Sequence, residues 1–189
     1  MTQEKKTKVS GFKYWLGFVW EILKIVVISL AIVVPIRYFL IQPFYVQGAS
    51  MEPNFLDGDY LIVDEISYRF ENPQRGDVVI FKYPLDPSQF FIKRIIGLPG
   101  ETVKIEEGRI FISGNDETKK IILNESDYLR DVYTAGGLEV SLKDGEYFVL
   151  GDNRGSSSDS RKWGTLPSGL IIGRAWVRAW PFNRLEVLN

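Results

Sequence analysis

Twelve consecutive uncharged residues, Ile25 to Ile36 (IVVISLAIVVPI), stand near the start of this chain, and the remainder is patterned differently. As a helix the run is about 18 Å long at ~1.5 Å per residue, short of the roughly 30 Å hydrocarbon core of a bilayer. Lys24 and Arg37 flank it, and both have stems long enough to snorkel. Beyond them lie Phe18-Val19-Trp20, Ile22-Leu23 and Tyr38-Phe39-Leu40-Ile41, so Val19 to Ile41 is long enough to span. Trp15, Trp20 and Tyr38 suit the interfaces. Glu21 sits toward the N-terminal end, where it costs least, and Pro35 predicts a kink toward the other end. Lys5, Lys6, Lys8 and Lys13 stand against Glu4, which by the positive-inside rule puts the N-terminus in the cytoplasm. The expected organisation is a basic tail at 1–17, a transmembrane anchor at 18–41 and an outer domain at 42–189. A cleaved signal peptide and a buried core helix are the alternatives. Gly48-Ala49 offers only a weak cleavage site, and a cut after Ala49 would detach the domain with Ser50 at its start.

After Pro43 the apolar residues fall into short runs separated by turn signals. Tyr60–Val63, Val78–Phe81, Phe90–Ile96, Val103–Ile105, Arg109–Ile112, Ile121–Leu123, Tyr147–Leu150 and Leu170–Trp180 read as strands. Asp57-Gly58-Asp59, Arg75-Gly76-Asp77, Leu98-Pro99-Gly100, Glu106-Glu107-Gly108 and Lys143-Asp144-Gly145 read as turns between them. No long stretch shows helical periodicity. The expected fold class is mainly β, an antiparallel multi-sheet or barrel-like domain after one N-terminal transmembrane helix. Residues 113–144 are more polar and less regular and read as a variable insertion or peripheral subdomain. Trp176 and Trp180 read as core residues more readily than as membrane-dipping ones.

The chain contains no histidine and no cysteine. That excludes disulfides, thiolate zinc sites, cysteine nucleophiles and any serine activated by imidazole. Without either residue no transition-metal site is expected; a carboxylate site for a hard cation stays open, though no spaced acidic loop suggests one. A net charge of −1 gives no support for nucleic-acid binding. A serine in such a chain needs another base, and a lysine kept neutral by burial is the available substitute.

Three stretches fit that requirement. Ser50 lies on Gly48-Ala49-Ser50-Met51, with Pro53 close behind. Small residues before it let a substrate backbone approach, and its own amide is placed to meet an oxyanion. Taken alone, it is equally a plain turn serine. Lys93 stands in Phe90-Phe91-Ile92-Lys93-Arg94-Ile95-Ile96, where alternation puts Phe91, Lys93 and Ile95 on one face. Burial there would lower its pKa and make it a usable base; an edge-strand lysine that blocks aggregation is the other reading. Gly151-Asp152-Asn153-Arg154 and Ser157-Ser158-Asp159-Ser160-Arg161 carry more hydrogen-bonding capacity than a linker needs. They fit either a charge network beside a site or a solvated polar loop.

Together these stretches resemble bacterial type I signal peptidases, membrane-anchored Ser–Lys endopeptidases that remove signal peptides from exported proteins. Gln47 to Pro53, Gly76 to Val79, Ile92 to Glu101, and Gly151 to Arg154 with Asp159 to Arg161 carry the likeness, in order and at similar spacing. The resemblance covers the anchor and nearly all of 42–182. It implies Ser50 as nucleophile, Lys93 as general base, and Ser157 as the serine that hydrogen-bonds and orients the lysine. Asp152, Arg94, Asp159 and Arg161 match the polar network beside the pair. Phe44, Val46, Ile80 and Ile92 fall where the family lines shallow pockets for small side chains, with Phe55 near the first of them. It also implies an Ala-x-Ala cleavage preference, an acyl-enzyme, signal peptides and the lipid bilayer as partners, and a single-pass location in the bacterial cytoplasmic membrane. One departure matters: some members carry a serine two residues before the nucleophile as an oxyanion donor, and here that residue is Gly48. Two other readings stand beside it. A self-cleaving Ser–Lys protease of the repressor type would need a DNA-binding module at the N-terminus, where this chain has an apolar segment. A catalytically silent, membrane-tethered β binding domain would have no use for an intact Ser50 and Lys93.

Overall fold

Between Gly11 and Phe39 the chain forms a single helix, α1, which runs on through Pro35. Its apolar stretch Tyr14–Val34 has no buried residue. At ~1.5 Å per residue it is about 31 Å long, enough to cross a hydrocarbon core. A stretch this apolar along its length, with none of it buried, fits an apolar solvent better than a protein core. The computed structural model describes residues 11–39, 42–114, 120–130 and 132–188. Lys5, Lys6, Lys8 and the end of the expected span at Leu40-Ile41 lie outside those residues, as does 115–119 of the polar segment. The chain divides into two compact units, Met1–Leu40 and Ile41–Asn189.

The second unit is built of antiparallel strands. In chain order they are β1 (Gln42–Tyr45), β2 (Tyr60–Asp64), β3 (Val78–Tyr83), β4 (Asp86–Gly97), β5 (Thr102–Glu106) and β6 (Arg109–Ser113). Then come β7 (Lys120–Ile122), β8 (Leu138–Ser141), β9 (Glu146–Leu150), β10 (Leu166–Pro167), β11 (Ile171–Trp180) and β12 (Glu186–Val187). A one-turn helix, α2 (Ser160–Trp163), sits between β9 and β10. One sheet has the order β1-β2-β11-β3-β4-β9-β10 with β12 added on β11, and a second has the order β7-β6-β5-β8. The rings of Phe44 on β1 and Phe90 on β4 meet edge to face at 5.7 Å. The first sheet therefore curls until its outer strand faces one of its inner ones, which is the barrel-like element of the fold.

Period-two alternation distributes the apolar residues among three cores. On β3, Val78 and Ile80 join Val46, Met51, Phe55, Leu61 and Val63, while Val79 and Phe81 join Ile95, Tyr147, Val149 and Leu166. β3 is thus covered on both faces, as its continuous apolar run requires. β4 changes core at its C-terminal end, for Ile95 belongs to the second cluster and Ile96 to a third with Val103, Ile105, Phe148 and Leu150. Full burial of these side chains contributes roughly 1.5–3 kcal/mol each, so this end of β4 is the best-anchored part of the unit.

One expectation is corrected. Trp176 and Trp180 are 43% and 48% exposed and take no part in a core. The register of β11 against β2 is irregular beside both, between Ala175 and Val177 and between Arg178 and Trp180. Residues 113–144 carry strands of their own. β7 pairs with β6 and β8 with β5, so the segment supplies both outer strands of the second sheet, and Leu129, Thr134 and Leu142 are buried. The polar stretches hid this because strand pairing there depends on partners distant in sequence.

Gly97 ends β4 where the third core closes over it. A β-carbon at Gly97 would lie 2.4 Å from Val103 Cγ2 and 2.7 Å from Leu142 Cδ1. Gly97→Ala is therefore expected to cost about 1–3 kcal/mol by overpacking, measured as a lower urea midpoint at unchanged slope.

Candidate active site

The turn after β1 is shaped by Gly48, whose φ of +84° lies in the left-handed region that other residues enter only at a cost. Its amide donates to Asp57 Oδ1 at 2.7 Å. Beyond the turn the chain dives inward, and Met51 and Phe55 are buried. Ser50 is left at the rim, half-buried, with its side chain toward β4. Its backbone N–H makes no hydrogen bond among the described residues.

Lys93 lies opposite Val79 in the β3–β4 ladder, one face above the Ile95 core. Alternation on β4 holds as expected, with Lys93 sharing a face with Phe91, whose ring centroid is 5.3 Å from Nζ. Lys93 is only 3% exposed. Its Nζ donates to Ser50 Oγ at 2.8 Å and to the Ile92 carbonyl at 2.7 Å. Burial drives its pKa down to about 8, against the opposing pull of Asp159 and Asp152. A lysine at this value is partly neutral near physiological pH, with its lone pair available to the serine hydroxyl.

Those two aspartates are not free charges. Asp152 takes a fork from Arg94, with Nε at 2.9 Å and Nη2 at 2.6 Å, and a further bond from Asn54 Nδ2 at 2.7 Å. Arg94 also donates to the Gly76 carbonyl at 2.9 Å. Asp159 caps α2 and is gripped by Arg161, with Nε at 2.9 Å and Nη2 at 2.8 Å, while Gly151 N–H donates to it at 3.1 Å. Burial alone would raise the Asp159 carboxyl; Arg161 and the Gly151 amide outweigh it and hold it below its ordinary value. The structure thus brings Ser50, Lys93, Arg94, Asp152, Asp159, Arg161 and Ser157 into one neighbourhood.

Ser157 is buried in that neighbourhood, but the bonds of Lys93 go to Ser50 and Ile92, not to it. Its hydroxyl helps depress Asp159 by proximity, yet has no partner in hydrogen-bond geometry among the described residues. Gly151 explains how the two loops come so close. A β-carbon there would stand 2.2 Å from Ser157 Oγ and 2.4 Å from the Ser50 carbonyl. Asn153, which the sequence motif contained without a role, ties the loops together. Its Nδ2 donates to the Ala49 carbonyl at 3.0 Å and its N–H to the Ser50 carbonyl at 3.1 Å.

A cleft of about 530 Å³ opens over the pair, lined by Phe44, Val46, Ile80 and Ile92 together with Leu61, Phe90 and Ser158. Four of the five expected pocket residues are therefore present. Phe55 is the correction: it packs in the core behind Val46 and Met51, with the Arg178 guanidinium 5.2 Å from its ring. Five residues past Ser50, its side chain follows Met51 inward and away from the cleft. Among the described residues, none pairs with the edge of β4 opposite β3 from Asp86 to Lys93, because β9 joins it only from Arg94 onward. That leaves backbone donors and acceptors available to an extended peptide. No group of three or more carboxylates among the described residues is placed to hold a metal ion.

Comparison with known proteins points the same way. The family model described as "Signal peptidase, peptidase S26" matches residues 19–180. Signal peptidase I of Leptolyngbya laminosa is 42% identical over 177 residues, 89% of this chain and 83% of that one. Probable signal peptidase I-1 of Synechocystis sp. is 36% identical over 174 residues, 88% of this chain and 85% of that one. Signal peptidase I of Bacillus amyloliquefaciens is 34% identical over 192 residues, 98% of each chain.

The buried lysine carries a stability cost with a definite pH window. Folded Lys93 binds its proton more weakly than the unfolded chain does, so the unfolded state holds more protons between about 8 and the ordinary 10.5. Stability from this residue rises with pH across that window, and the full penalty applies below it. Lys93→Met is expected to raise unfolding free energy by roughly 1–3 kcal/mol at neutral pH, with the gain fading in alkaline urea titrations.

Proposed function

The chain belongs to the signal peptidase family, peptidase S26, and we propose that it removes signal peptides from exported preproteins with Ser50 as nucleophile and Lys93 as general base. The observation that carries this reading is the 2.8 Å contact between Lys93 Nζ and Ser50 Oγ at the floor of an apolar cleft. An amine so buried, with a pKa lowered to about 8, supplies the base that a chain without histidine otherwise lacks.

The substrate lies extended in the cleft, between β1 and the open edge of β4, in the manner of an added strand. Shallow walls from Phe44, Val46, Ile80 and Ile92 admit small side chains and exclude large ones, which is the basis of an Ala-x-Ala preference. Neutral Lys93 takes the Ser50 proton as Oγ bonds to the carbonyl carbon before the cut. The oxyanion is met by the Ser50 N–H, which is uncommitted within the described residues. Gly48 has no hydroxyl to add, and its own amide is spent on Asp57. The carbon–nitrogen bond then breaks, and the new amine leaves with the proton from Lys93. Water attacks the resulting ester, giving its proton to Lys93; the ester bond to Oγ breaks and Ser50 recovers a proton. No step calls for a metal or an organic cofactor.

α1 tethers the enzyme to the bilayer, with the N-terminal lysines on the cytoplasmic side and residues 42–189 on the other. Tethering confines enzyme and signal helix to one membrane and raises their effective concentration.

The test is cleavage of an Ala-x-Ala precursor in liposomes, with the cut located by mass spectrometry. Wild type is expected to cut after the second alanine, and kcat/KM to rise with pH through a midpoint near about 8. Ser50→Ala and Lys93→Ala are each expected to lower kcat by about three orders of magnitude or more. Substantial turnover in a folded Lys93→Ala protein would exclude the pair.

A further inference from the structure

The polar segment between β6 and β8 reaches the catalytic neighbourhood at two points that meet in one side chain. Glu125 takes Arg154 as a fork, with Nη1 on Oε2 at 3.0 Å and Nη2 on Oε1. The Tyr128 hydroxyl donates to the same Oε1 at 2.6 Å. From Arg154 the chain of contacts continues toward one aspartate. Its Nε donates to the Gly151 carbonyl at 3.1 Å, and its own carbonyl accepts from Arg161 Nη2 at 2.8 Å, beside Asp159. From Tyr128 it continues toward the other. The ring lies 4.0 Å from the Arg94 guanidinium, and the backbone carbonyl accepts from Asn54 Nδ2, which also donates to Asp152.

Hydrophobic packing would hold a surface segment in place at less desolvation cost than a buried ion pair. What the charged junction adds is direction, because bidentate arginine–carboxylate bonds fix both distance and plane. Arg154 is 6% exposed and is also bonded to the fully buried Thr134, so its orientation has no slack. We propose that Glu125, acting through Arg154 and Tyr128, is a positioning residue that holds both arginine–aspartate pairs in place beside Lys93. The inference rests on Lys93 being the base.

The charged groups that bear on Lys93 are Asp159 and Asp152, each paired with an arginine, Arg161 and Arg94. Those around Glu125 and Tyr128 are Arg154 and Arg94. Removing the Glu125 charge leaves Arg154 an uncompensated buried cation and frees the two carboxylates to drift. Both changes disfavour the ammonium form of Lys93 and move its titration to lower pH. Water entering a merely loosened site does the opposite, because it restores solvation of the charged amine.

The experiment is kcat/KM against pH, from about 6 to about 10, for the full chain in liposomes. Glu125→Gln is expected to move the acidic limb down by about half a pH unit and to lower kcat about tenfold, with KM changed less than about twofold. Glu125→Asp, which keeps the charge, is expected to keep the limb near its wild-type position. Tyr128→Phe removes only the hydroxyl contact, so it tests the idea even if Glu125→Gln fails to fold; its limb is expected to move down by a smaller amount. A limb that stays put, or moves up, in folded Glu125→Gln or Tyr128→Phe overturns the proposal. Turnover retained in Lys93→Ala would instead remove the base assignment underneath it.

Discussion

The Lys93 amine sits 2.8 Å from Ser50 Oγ and is almost wholly buried, and the β unit around it is arranged to keep it there. Burial of an ammonium is unfavourable, so the strand that carries it needs strong anchoring nearby. β4 has that anchoring in its next residues. Ile95 and Ile96 enter different cores, and Arg94 between them and Lys93 is fixed by Asp152 and Gly76. The cost of the buried amine is borne by packing on both sides of the sheet. The result is an amine with a pKa lowered to about 8, in a chain without histidine.

Three segments distant in sequence converge on that amine. The Ser50 turn is held by Asp57 on one side and by Asn153 on the other. The 151–161 loop presses Gly151 against the Ser50 carbonyl, a contact with no room for a β-carbon. The segment between β6 and β8 closes the arrangement from behind through Glu125 and Tyr128. Curling of the large sheet matters as much, since it brings β1 opposite the unpaired edge of β4 and so creates a peptide-sized cleft.

Much of the β unit was legible as alternating runs between glycine turns. Tyr60–Val63, Val78–Phe81 and Tyr147–Leu150 fall inside β2, β3 and β9 with ends shifted by a residue or two. The faces of β4 were also readable, because period-two geometry is local. β8 and the buried Thr134 were not, since their sequence surroundings are polar and their partners are remote. The exposure of Trp176 and Trp180 contradicts the usual expectation for tryptophan, and β11 is irregular in register beside both of them. Ser50 and Lys93 were picked out from residue type and setting, and their side chains meet in the structure. Glu125 was not, because its partner Arg154 lies 29 residues away and nothing local marks either as paired.

The sequence by itself determined the apolar N-terminal helix, the β character of the remainder and the absence of any imidazole or thiol chemistry. Each of these depends on composition or short-range periodicity, which operate within a few residues of chain. Only the tertiary structure decided that Lys93 loses its water, that its nitrogen bonds to Ser50 and not to Ser157, and that Phe55 turns into a core. Those outcomes depend on which surfaces meet across the curled sheet, and desolvation exists only once they have met.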